Sequence, residues 1–93
     1  MAGDRLDCGR LLRQPLAIYP KVARSRRVEG VVRLNVFITR TGEVRDITVV
    51  EGDPLLVPAA LAAVRQWRYA PCLLNSEPVE LRSTIDVNFT LHQ

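Results

Sequence analysis

The chain has 93 residues, 47% of them hydrophobic and 25% charged, a balance that suits one globular domain and leaves no room for a second. Its formal net charge of +3 gives only weak support to a polyanionic partner. The longest apolar run, from Val57 to Val64, falls far short of the roughly 20 residues that a spanning helix needs.

The opening Met1-Ala2-Gly3-Asp4-Arg5 leads into charge and not into an apolar core, so no secretory signal is read there, and Asp7 ahead of Cys8 spoils a lipid-attachment box. Any membrane anchor is therefore expected outside this chain. Residues 1–14 mix charges with Leu6, Leu11 and Leu12 without a period, which reads as an extended or mobile lead-in to a domain over residues 15–93. Gln14-Pro15 and Tyr19-Pro20 then bracket a short apolar stretch, and each proline holds its predecessor extended.

Pro20 suits the first turn of a helix predicted over residues 20–27, with Val22 and Ala23 facing inward and Lys21, Arg24, Arg26 and Arg27 in water. Its arginines complement the negative end of the helix dipole, and they also offer a patch for anionic lipid or an acidic partner. Glu29-Gly30 is read as the break. From Val31 the period becomes two, with Val32, Leu34, Val36 and Ile38 on one parity, the pattern of a half-buried strand. Thr41-Gly42 supplies a turn into a second strand over residues 43–51, where the spacing from Val44 to Ile47 predicts a bulge near Arg45-Asp46.

Gly52-Asp53-Pro54 turns the chain into a second helix over residues 58–67, whose apolar face carries Leu61, Val64 and Trp67 beside Ala60 and Ala63. Trp67 and Tyr69 are read as core plugs at the helix–sheet junction, and Pro71 ends that element. Residues 73–78 read as a loop. Val79, Leu81, Ile85, Val87, Phe89 and Leu91 then share one parity of a long last strand, with Ser83 a small flaw in it.

Helix, strand, strand, helix, strand, each helix with one apolar face, predicts an α+β layer of order α-β-β-α-β. It is a three-stranded antiparallel sheet with both helices packed on one face. The last strand is placed beside the first, antiparallel to it, with nothing downstream to cover its outer side. An open sheet edge is a template for another strand.

Chemistry is sparse. Cys8 and Cys72 permit one disulfide or two free thiols. With His92 they are too few for a closed zinc site, so no metal and no cofactor is expected. One histidine near the chain end, no paired carboxylates and no phosphate-binding glycine loop argue against an enzyme. The exposed strand parity has little aromatic content beyond Phe37, so no nucleic-acid platform is read either.

Tyr19-Pro20, Val28-Glu29-Gly30, Thr41-Gly42-Glu43-Val44, the run from Ala60 through Trp67-Arg68-Tyr69-Ala70-Pro71, and the closing Val87-Asn88-Phe89-Thr90-Leu91 together resemble, in order and spacing, the C-terminal domain of TonB-family energy transducers. The resemblance implies a periplasmic domain of an inner-membrane-anchored protein, coupled through that anchor to a motor complex. It would bind the TonB box of an outer-membrane receptor by strand addition and transmit force for uptake of siderophores, cobalamin or other nutrients. The implied binding strand comprises Leu81, Arg82, Ser83, Thr84, Ile85, Asp86, Val87, Asn88, Phe89 and Thr90, with contributions from Gln14, Pro15, Tyr19 and Pro20. The alternative is another cell-envelope scaffold, similar to the TolA C-terminal domain or to a peptidoglycan-associated module, using the same edge or the arginine-rich helix. A homodimer through the same edge is a further possibility.

Overall fold

A computed structural model describes residues 6–8 and 10–91; expectations placed on residues 1–5, Gly9, His92 and Gln93 lie outside the described residues. In chain order the elements are β1 (Leu6–Asp7), β2 (Leu11–Arg13), α1 (Lys21–Ser25), β3 (Gly30–Ile38), β4 (Val44–Glu51), α2 (Val57–Val64), β5 (Arg68–Tyr69), β6 (Cys72–Leu74), β7 (Glu77–Val79) and β8 (Leu81–Phe89). The main sheet has three strands in the order β4-β3-β8, and both neighbours run antiparallel to β3. The last long strand thus lies beside the first, at an edge.

Strict alternation in β3 buries Val32, Leu34, Val36 and Ile38, and its partner β8 buries Ile85, Val87 and Phe89 on the same face. Ala23 of α1 and Ala60, Val64 and Trp67 from α2 and its exit complete this core, so both helices cover one side of the sheet. Small residues on the helices let backbone approach the strands closely, while Leu34, Leu56, Val32 and Val64 are the largest fully buried side chains. Leu61 and Tyr69 pack against the core as partly buried residues.

Local chemistry explains where elements stop. α1 ends before the Glu29-Gly30 pair that the sequence offers as its break. Arg27 takes a left-handed φ of 56°, and Val28 N–H donates to Ala23 O at 2.8 Å while Arg27 N–H donates to Arg24 O at 3.1 Å. This is the paired-bond helix stop that glycine ordinarily makes; here an arginine makes it, and Gly30 opens β3 instead. Ala23 is buried as expected, but Val22 is half exposed, because so short a helix has room for one inward position. α2 is also shorter than predicted. Its last turn tightens, with Gln66 N–H donating to Ala63 O and Trp67 N–H to Val64 O, which swings the indole into the core.

The bulge expected near Arg45-Asp46 is present: Asn35 faces Thr48 but Phe37 faces Arg45, and Asp46 has a φ of 50°. A second irregularity lies between Arg33, which faces Glu51, and Leu34, which faces Val49. The stretch read as a loop over residues 73–78 is a tight hairpin of β6 and β7, turned by Asn75 (φ 51°) and Ser76 (φ 74°). The final strand is consequently two elements, not one. β1 pairs with β6, and β2 pairs with β5.

Cys8 and Cys72 form a disulfide. Gly42, in the β3–β4 turn, has a φ of 87°, and a Cβ there would lie 1.8 Å from Tyr69 O. Tyr69 N–H donates to Gly42 O at 2.9 Å, and the Glu43 carboxylate sits 2.7 Å from Arg45 and 3.5 Å from Arg68. The turn and the segment after α2 are thus laced together. Ala70 N–H adds the lead-in by donating to Arg10 O at 3.0 Å.

Candidate functional site: the outer edge of the last strand

β8 pairs with β3 over its whole length, from Leu81 opposite Ile38 to Phe89 opposite Gly30. On its other side no strand is paired among the described residues. Which backbone groups face outward follows from the turn: Thr39 N–H donates to Glu43 O at 2.9 Å, so Thr39 points its polar groups toward β4. In a regular strand the N–H and C=O of one residue share a side and alternate along the chain. Ile38, Val36, Leu34 and Val32 therefore point toward β8, and their partners Leu81, Ser83, Ile85 and Val87 point back. That leaves Arg82, Thr84, Asp86 and Asn88 with their backbone donors and acceptors directed out from the edge.

Beside the C-terminal half of this edge runs the extended segment of residues 14–20. Gln14, Pro15, Leu16, Ala17 and Tyr19 form one wall of an open groove of about 360 Å³; Asp86, Val87, Asn88, Phe89 and Thr90 form the other, and Ala63 and Trp67 form its floor. The wall is pinned at both ends. Trp67 Nε1–H donates to Pro15 O at 3.2 Å. Tyr19 donates its hydroxyl hydrogen to Val28 O, and its ring meets that of Phe89 edge to face at 5.5 Å. The Arg24 guanidinium lies 5.5 Å from the Tyr19 ring centroid. Partial burial, and after it the Glu29 carboxylate, push the Tyr19 hydroxyl above its ordinary 10.0.

The structure therefore brings Gln14, Pro15 and Tyr19 together with Asp86, Val87, Asn88, Phe89 and Thr90. Pro20 caps α1 at the end of this wall and does not line the groove. Arg82, Ser83 and Thr84 lie further along β8, where they border a separate polar hollow of about 310 Å³ with Asn35, Asp46 and Thr48. The sequence reading passed over Leu16 and Ile18, which are 89% and 84% exposed. Their alternation with the half-covered Ala17 and Tyr19 is the period-two signal that marks them as outward positions of an extended segment.

The solvent face of the sheet carries polar side chains beside the exposed Val31 and the half-covered Phe37. Arg33 bridges Asp86 at 2.9 Å and Glu51 at 3.3 Å across the three strands, and the Thr84 hydroxyl donates to Asn35 Oδ1 at 3.1 Å. The Asp86 bond raises the Arg33 pKa still further. Exposed pairs of this kind contribute little to stability; they fix side-chain orientation beside the edge. No group of three metal-ligating side chains converges among the described residues, and no described helix is long and apolar enough to cross a membrane.

The family model described as the Gram-negative bacterial TonB protein C-terminal matches residues 15–91. Protein TonB of Vibrio cholerae is 32% identical over 75 residues, covering 78% of this chain and 31% of that protein. Protein TonB of Pseudomonas aeruginosa is 31% identical over 75 residues, covering 78% and 22% respectively. The chain spans less than a third of the length of either curated relative. The solution structure of the Pseudomonas aeruginosa TonB CTD superposes with a TM-score of 0.76 at 28% identity, covering 90% of this chain and 87% of that one.

Proposed function

Given that this chain belongs to the TonB C-terminal domain family, we propose that it captures an extended segment of an outer-membrane receptor, the TonB box, by adding it as a strand to the outer edge of β8. The observation that carries this reading is the open edge itself, with its unpaired outer side next to a groove walled by residues 14–19. Main-chain hydrogen bonds to Arg82, Thr84, Asp86 and Asn88 would supply affinity with little demand on sequence, and the groove would select among alternate side chains of the added strand. Each such bond is worth only about 0.5–1.5 kcal/mol net, so a handful gives a modest, reversible grip. In this reading the domain stands in the periplasm at the end of an inner-membrane-anchored protein. The anchor couples it to a motor complex, and the load is passed to the receptor for nutrient import.

Strand addition also suits pulling. A strand drawn along its own axis loads several hydrogen bonds at once, whereas a strand peeled from one end breaks them singly.

The test is a titration of the isotopically labelled domain with TonB-box peptides, following backbone amide shifts while light scattering records its mass. Shifts in a monomer clustered on residues 82–90 and 14–19 are expected. A monomer with no shifts there overturns the reading, and shifts confined to Arg24, Arg26 and Arg27 would favour a different envelope partner at the basic helix.

A further inference from the structure

The Cys8–Cys72 disulfide joins residues 64 apart in sequence. Between them lie β2, α1, β3, β4, α2 and β5, which include two of the three main strands and both helices. Cys72 opens the β6–β7 hairpin, and β8 begins directly beyond that hairpin. The matched family model is described as the C-terminal part of its proteins, so tension supplied by the rest of such a protein arrives from the Cys8 side.

We infer that the disulfide is a load shunt: tension entering at Cys8 crosses to Cys72 and runs through the β6–β7 hairpin into β8, leaving the chain between the cysteines out of the force path. The inference takes from the proposed function only the point at which load leaves, the β8 edge. Without the bond the same tension would pass in series through β2, α1, β3, β4 and α2, and the groove wall of residues 14–19 would be among the first segments pulled straight. With it, that wall hangs outside the tensioned path.

The element placed in the path yields in a defined way. Cys72 faces Val79, Leu73 faces Pro78 and Leu74 faces Glu77, so pulling on Cys72 and Glu80 opens the hairpin from its free end, one pair at a time. Pro78 has no N–H to contribute. Straightening residues 72–80 gives about 20–25 Å of extension at roughly 3.3–3.6 Å per residue. β8 itself is already extended, and tension along it leaves its pairing with β3 in place.

Single-molecule pulling tests this, with handles at the two chain ends attached by chemistry that spares cysteine, while the emission of Trp67 is recorded. The oxidised domain is expected to show an early step of about 20–25 Å with native Trp67 emission throughout. The Cys8→Ser/Cys72→Ser variant should instead unfold in a step of about 200 Å with loss of that emission. Should the variant fail to fold, dithiothreitol added to wild-type protein held at low load gives the same comparison. Loss of native Trp67 emission at the same load in oxidised and reduced protein overturns the inference, as does an oxidised trace without the early step. No peptide enters this experiment. A domain that shunts load yet binds no box overturns the proposed function alone, and one that binds the box but unfolds equally in both redox states overturns the shunt alone.

Discussion

Gly42 shows how much one residue can carry. The sequence marks it as a turn glycine, yet the larger constraint is distant in sequence: Tyr69 O would meet an added Cβ at 1.8 Å, and the φ of 87° is itself unfavourable for any other residue. Gly42→Ala should therefore cost at least about 2 kcal/mol, measured by denaturant unfolding, and move backbone at both the β3–β4 turn and Tyr69. Trp67 is legible as a core residue from its place on the apolar helical face. Its hydrogen bond to Pro15 O is not, since no local pattern announces a partner across the fold. Trp67→Phe keeps most of the burial but drops that bond, so we expect a loss of about 1 kcal/mol in stability and broadened amide signals at residues 14–17. Both tyrosine hydroxyls are raised, Tyr19 by partial burial and then Glu29, and Tyr69 by burial alone. A raised folded value contributes stability that is complete below the unfolded value near 10.0 and is lost as pH climbs through the folded one. Ultraviolet titration should place both midpoints above 10.0 in the folded domain, and stability should fall over that alkaline window.

At the scale of elements, the long alternating strands and the bulge between them were readable because burial on one face imposes a strict period of two. The β6–β7 hairpin was not, since its apolar Leu73 and Leu74 continue no period and its turn uses Asn75-Ser76 without a glycine. The short strands β1, β2 and β5 escaped for a related reason: they are two or three residues long, too short for a pattern, and they are held by partners far away in sequence. Of the candidate site, β8 could be read from its parity and its edge place from the order of strands, but the groove could not, because it joins residues 14–19 to 86–90 through Trp67. The phase of the edge gives a direct check. Asn88→Pro removes an outward donor and should weaken box-peptide affinity several-fold, the equivalent of one hydrogen bond of about 0.5–1.5 kcal/mol. Ile85→Pro removes a donor aimed at β3 and should unfold the domain instead.

For the molecule as a whole, the covalent loop closed by the disulfide spans most of the chain, with a separation of 64 residues. Chain-entropy reasoning assigns such a loop about 4 kcal/mol, so reduction should lower the denaturant midpoint and raise the m-value of unfolding, because the unfolded chain freed of its cross-link exposes more surface. That midpoint, compared in oxidised and reduced protein, is a simple equilibrium companion to the pulling experiment. The main sheet, finally, has two borders of unlike quality. Along β4 the register slips twice against β3, which kinks and twists that border and spoils it for a newcomer; along β8 the ladder is regular throughout. Endless fibre growth requires every added copy to present a fresh receptive border opposite the one it used. Here two copies meeting β8 to β8 would exhaust both good borders and expose only kinked ones, so any self-association through the sheet would terminate at a closed pair.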